Sequence, residues 1–136
     1  MRYTMNKVLL LGLMILLLTA CGGAGGAELE GTTWELTAIP GQELPAEVSI
    51  TAEFSEGQIA GSAGCNSYSG SYQTNADQIV FGEMIRTLMA CLEPEGVMEL
   101  ESAYIDSLLQ TQTYQVDENT LQLINAQGEA LIFSRR

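Results

Sequence analysis

Residues 61–72 read GSAGCNSYSGSY, a glycine-rich run that holds Cys65 on a turn, and residues 87–91, TLMAC, end on a second cysteine, Cys91. A thiol displayed in this way can serve as a nucleophile, a metal ligand or half of a disulfide. The first role needs a base or a neighbouring cation to generate the thiolate. The chain has no histidine, which removes the usual base for Ser and Cys nucleophiles and the commonest zinc and copper ligand. Between Lys7 and the C-terminal Arg135 and Arg136, the one basic residue is Arg86. No C-x-x-C occurs that would point to redox chemistry. Glu93, Glu95, Glu99 and Glu101 offer hard oxygen ligands, but the ordered calcium loop of alternating acids around a central glycine is missing. These acids read as a solvated helix face, and neither a metal nor a cofactor is expected.

The third cysteine, Cys21, sits in a different setting. Arg2 and Lys7 precede an apolar run, residues 8–18 (VLLLGLMILLL), too short to span a bilayer comfortably, and Leu18-Thr19-Ala20-Cys21 follows. That pattern resembles a bacterial lipobox, which implies a signal peptide over residues 1–20 and a diacylglycerol on the Cys21 sulfur. Several acyl chains anchor firmly, since each buried methylene contributes about 0.8 kcal/mol. Residues 21–27 then read as a glycine-rich tether with an end-to-end reach of roughly 13 Å, leaving one domain over residues 28–136. The expected location is the cell membrane or outer membrane, facing away from the cytoplasm. Without residues 1–20 the chain keeps Arg86, Arg135 and Arg136 against all 17 acids, a formal balance of 3 minus 17, or −14. Nucleic acid demands the opposite sign, so no nucleic-acid partner is expected.

The domain's apolar period is mostly two. Trp34, Leu36 and Ala38 alternate with polar neighbours, as do Val48, Ile50, Ala52 and Phe54, and turn residues close each run. Further strands are predicted at 58–63, 70–73, 78–81, 113–116, 120–124 and 130–134, the last three as a meander, with residues 61–72 between strands. Between 95 and 110, Val97, Leu100, Tyr104, Ile105 and Leu108 recur at helical steps, with Glu99, Glu101, Ser102 and Asp106 opposite. Pro94 falls near the first turn of this helix, and Glu93, Glu95 and Glu99 near its positive end. The fold class is therefore mainly β: a small antiparallel barrel or strongly curved sheet, with one amphipathic helix over an opening or face. Trp34, Tyr68, Tyr72, Tyr104 and Tyr114 read as core rather than as the lining of a ligand pocket.

The order G-C-N-x-Y-x-G-x-Y, then T-x-M-A-C, with an early Trp-Glu-Leu and a late L-x-L…L-x-F, resembles the META-domain (HslJ-like) family across residues 32–133. The resemblance implies a lipocalin-like barrel with one helix. It also implies an envelope lipoprotein linked to stress or drug tolerance, acting as a non-enzymatic binding or interaction module. Its motifs fall here on Cys65, Asn66, Tyr68, Gly70, Tyr72, Thr87, Met89 and Cys91, and Arg86 adjoins the second motif. Many members carry a basic residue after the Cys-Asn pair, where this chain has Ser67. The alternatives are a small molecule held inside the barrel and, with less support, a thiol enzyme using Cys65. With Cys21 assigned to lipid, Cys65 and Cys91 remain as an even pair in an exported protein, which favours a disulfide. Two buried thiols, or a redox or catalytic pair, are the other states open to them. An envelope protein or a small-molecule ligand is the partner to seek.

Overall fold

The alternation of apolar and polar residues becomes an alternation of inside and outside in the computed structural model, which describes residues 28–136. Cys21 and the glycine tether lie outside the described residues. The elements are β1 (Thr32–Ala38), β2 (Thr51–Ser55), β3 (Gln58–Ser62), β4 (Ser67–Asn75), β5 (Gln78–Phe81), β6 (Ile85–Arg86), α1 (Val97–Leu109), β7 (Thr111–Val116), β8 (Thr120–Asn125) and β9 (Ala130–Arg135). Trp34 and Leu36, Ala52 and Phe54, Tyr68 and Tyr72, Leu121 and Leu123, and Leu131 and Phe133 all point inward.

Each strand runs antiparallel to the next. β1, β2, β3, β4, β5, β7, β8 and β9 follow one another around the wall, and β9 returns to β1 through Trp34↔Arg135 and Leu36↔Phe133. The result is an eight-stranded closed barrel of meander order. β6 pairs with β4 alone, through Tyr68↔Arg86 and Ser69↔Ile85, on the side of β4 that β5 uses further along. The narrowest joint is β5–β7, held by the Gln78↔Thr113 pair and by the Tyr114 N–H donating to the Asp77 carbonyl at 2.9 Å. The chain leaves the wall at that joint to build β6 and α1.

Register fixes which end of the barrel is which. Thr32 pairs with Phe54 beside the β2–β3 hairpin, so the chain enters at that end. The β3–β4 turn, residues 63–66, lies at the other, and α1 crosses it. Tyr104 of α1 is fully buried, edge-on to Tyr68 and Phe133 at centroid distances of 5.5 and 6.4 Å. The Tyr68 hydroxyl donates to the Thr51 carbonyl at 2.8 Å and so accepts from the Tyr104 hydroxyl at 2.7 Å. Tyr68, Tyr72, Tyr104 and Tyr114 are core, as expected. Trp34, Phe54, Tyr104 and Phe133 occupy the interior that a lipocalin-type ligand would need.

Four local expectations are corrected. Residues 61–72 are not a loop: they comprise the end of β3, the turn at 63–66 and the first part of β4, which is longer than predicted. Ala38 is exposed, because a register shift against β9 between Leu36 and Ala38 turns Ile39 inward instead. The helix starts at Val97, because Gly96 takes a left-handed φ of 84° as its N-cap; Pro94, Glu93 and Glu95 precede it, and Glu99 alone is acidic in the first turn. Glu101 is not solvated. It is 2 % exposed.

Close approach explains Gly61. A Cβ there would lie 2.0 Å from the Thr51 carbonyl oxygen across the β2–β3 pair. Backbone cannot yield as a flexible side chain can, so Gly61→Ala is expected to destabilise the domain by about 2–3 kcal/mol, measured as a lowered urea midpoint with unchanged slope.

Candidate functional site

The turn between β3 and β4 turns one side chain out and the next one in. The Ala63 N–H donates to the Asn66 carbonyl at 2.7 Å, and Gly64 adopts φ 114°, a conformation that suits glycine. Cys65 thereby faces the segment that follows β6, while Asn66 is only 2 % exposed. Asn66 uses its full capacity for hydrogen bonds. Its Nδ2 donates to the Met89 carbonyl at 3.1 Å and to Glu101 Oε1 at 2.9 Å. Its Oδ1 accepts from the Thr87 hydroxyl at 2.8 Å and from the Met89 N–H at 2.7 Å. Its backbone N–H donates to Glu101 Oε2 at 2.7 Å.

Glu101 reaches this hub from α1, and an Arg86 guanidinium nitrogen lies 3.5 Å from Oε1. A buried carboxylate is tolerated when donors surround it, and here the Asn66 amide groups and Arg86 supply them. Segment 87–91 is fastened at both ends. The Thr87 N–H donates to the Ser67 carbonyl at 3.1 Å, and the Ser67 N–H donates to the Thr87 hydroxyl at 3.2 Å. At the far end Cys91 is bonded to Cys65, with the two Cα atoms 5.9 Å apart. The expected disulfide is present, and the free-thiol alternatives are not.

Six of the residues singled out in the sequence therefore converge: Cys65, Asn66, Arg86, Thr87, Met89 and Cys91. The other three serve the barrel. Tyr68 is the inward partner of Tyr104, its hydroxyl pushed well up by burial. Gly70 lies under the bend between β5 and β6, where a Cβ would sit 2.6 Å from Met84 Sδ and 2.9 Å from the Glu83 carbonyl. Tyr72 belongs to the opposite end, edge-on to Phe54 at 5.1 Å, with its hydroxyl donating to Glu30 Oε2 at 2.8 Å.

That last bond has a pH consequence. The Tyr72 hydroxyl first, and then the Glu56 N–H, hold the Glu30 carboxyl below its ordinary value of 4.5. A carboxyl that is more acidic folded than unfolded contributes stability above the ordinary value, and that contribution is lost as pH falls through the lowered one. Glu30→Gln is accordingly expected to flatten the fall in thermal midpoint below pH 4.5 while leaving the neutral baseline parallel. A profile parallel to wild type throughout the acid range would remove Glu30 from this role.

The residues that sequence reasoning missed are Glu101, set aside as solvated, and the apolar side chains of Ile85, Leu88 and Leu92 that stand with Met89 near the hub. Leu88 is 92 % exposed, Leu92 88 %, Ile85 70 % and Met89 58 %. A surface groove of about 210 Å³ separates this segment from α1, lined by Leu88 and Met89 on one side, Met98 and Ser102 on the other, with Asn66 and Glu101 also contributing. Met98 and Ser102 are helical neighbours at i and i+4, so they present one wall.

A model of the META domain matches residues 27–136. A protein from Burkholderia xenovorans, solved by NMR, is similar at 28 % identity and TM-score 0.72, over 83 % of this chain and 87 % of that one. A second NMR structure aligns at 22 % identity and TM-score 0.64, over 80 % and 92 % of the respective chains. A DUF4847 family protein from Bacteroides vulgatus aligns at 14 % identity and TM-score 0.58, over 79 % and 93 %. The last two share the fold. No curated protein matches the chain.

Proposed function

The chain belongs to the META domain family, and from that premise we propose that it is a lipid-anchored, non-enzymatic protein of the cell envelope. Its barrel presents segment 85–92 to a macromolecular partner, in the stress- or drug-tolerance setting that the family resemblance implies. Anchoring at Cys21 rests on the Leu18-Thr19-Ala20-Cys21 pattern. The absence of enzymatic activity is supported by the disulfide, which removes the Cys65 thiolate, and by the saturation of Asn66 with structural hydrogen bonds.

One observation carries the interaction role: four large apolar side chains face water on a backbone fastened at Thr87 and Cys91. Isolated apolar residues are ordinary on a surface, but four within eight residues of the chain, two of them walling one groove, mark contact with something else. A loose loop would fold such residues under, and this one is held. A ligand inside the barrel is not favoured, since side chains fill the interior.

A photoreactive amino acid at Leu88 in the full chain is expected to give discrete protein adducts in the native envelope. The same group at Asn75, exposed at the opposite end, should give none. Equal labelling at both positions, or none at Leu88, overturns the reading. Cys21→Ser should abolish the acyl mass; an unmodified wild type would remove the anchor.

A further inference from the structure

Resting on the reading of segment 85–92 as the contact face, we infer that its partner is a cationic, amphipathic polypeptide segment. Acids flank the apolar group in the sequence. Glu83, Glu93, Glu95 and Glu99 are all exposed around it in the chain. The nearby base, Arg86, is already engaged with the buried Glu101 carboxylate. Arg135 and Arg136 sit on the β1–β9 wall, the first over the Trp34 ring at 4.4 Å and the second 3.4 Å from Glu35.

This arrangement disfavours the other occupants by charge. A second copy would bring the same acids against Glu93, Glu95 and Glu99, within a domain whose formal balance is 3 minus 17, or −14, and like charges across an interface are strongly unfavourable. An anionic lipid surface is repelled for the same reason. A polypeptide with lysine or arginine on one face and leucine-like side chains on the other satisfies both parts of the surface.

The groove supplies the anchor point. At about 210 Å³ it is large enough for one or two apolar side chains. Its Met89 and Met98 walls are unbranched and adapt to the shape of what enters. Leu88 and Leu92 then cover the flanks, and the flanking acids steer the basic side chains.

The test uses the full lipidated chain in phosphatidylcholine nanodiscs, with empty nanodiscs subtracted, and three labelled peptides: leucine and lysine at helical spacing, the leucine–glutamate counterpart, and a lysine–serine version without apolar residues. Fluorescence anisotropy is expected to show saturable binding of the leucine–lysine peptide, weakening as salt rises, and at least about tenfold weaker binding of the other two. Leu88→Ser with Leu92→Ser should weaken it about tenfold or more, and Glu93→Gln, Glu95→Gln and Glu99→Gln together by about threefold or more. Both variants substitute exposed side chains, and unchanged thermal midpoints would exclude misfolding as the cause. Equal binding of the lysine and glutamate peptides, with loss in the leucine variant, overturns the partner chemistry and keeps the face. Binding indifferent to the leucine variant overturns the face as well. Reversible self-association lost with Leu88→Ser identifies a second copy as the occupant and overturns the inference.

Discussion

Reduction of the Cys65–Cys91 bond is expected to lower the thermal midpoint of the domain by about 15 °C, at about 4 °C per kcal/mol for a chain of this size. The two cysteines are 26 residues apart, and in the chain-entropy account a loop of that length is worth about 3.5 kcal/mol. That is a large share of a small domain's stability, about 5–15 kcal/mol. Calorimetry with and without reductant reads the shift directly. Cys65→Ala, Cys91→Ala and the double substitution should fall close together, because the cross-link needs both sulfurs. The native protein should show no free thiol from this pair until it is denatured and reduced. Rapid alkylation of Cys65 in the native protein, together with a thermally silent Cys91→Ala, would overturn the structural role and restore the thiol enzyme.

Asn66→Ala should cost as much or more, about 3–5 kcal/mol, as expected when one partner of a buried charged network is deleted. The substitution leaves the Met89 N–H and carbonyl without their side-chain partner and strips one donor from a carboxylate that is 2 % exposed. Glu101→Gln offers a sharper version of the same test. Glu101 accepts at both oxygens, Oε2 from the Asn66 N–H and Oε1 from Asn66 Nδ2. A glutamine amide therefore sets a donor against a donor in either orientation. Urea unfolding of Asn66→Ala, Cys91→Ala and their combination should show costs that do not add, because both changes release the same segment from the same turn. Additive costs would mean that the hydrogen bonds and the disulfide hold independent structures.

The barrel was legible because most of its strands keep a period of two and their turns carry turn residues: Trp34 and Leu36, Ala52 and Phe54, Leu121 and Leu123 all point inward as the pattern requires. The pattern fails where geometry rather than composition decides. β6 has two residues, too few to show any period, and the shift that exposes Ala38 depends on β9, far away in the chain. In the candidate site the Cys65–Cys91 pair followed from counting cysteines. Glu101 did not, because a charge on a helix is ordinarily solvated, and its partner Asn66 is 35 residues away. Its step of four residues from Val97 and three from Tyr104 placed it on the buried face. The residue type outweighed the spacing. Leu88 and Leu92 fall in a segment without regular structure, so nothing local says which way they point.

The joint between β1 and β9 also sets a timetable. In a chain emerging from its N-terminus, β1 to β5 can pair in succession as each is delivered, since every strand joins the one before it. The first strand nevertheless keeps an open hydrogen-bonding edge until β9 arrives, close to a hundred residues later by the pairing of Trp34 with Arg135. Throughout that interval the half-built wall is a template for any other extended chain nearby. The hazard lasts as long as that edge is open, and it ends when the last strand docks.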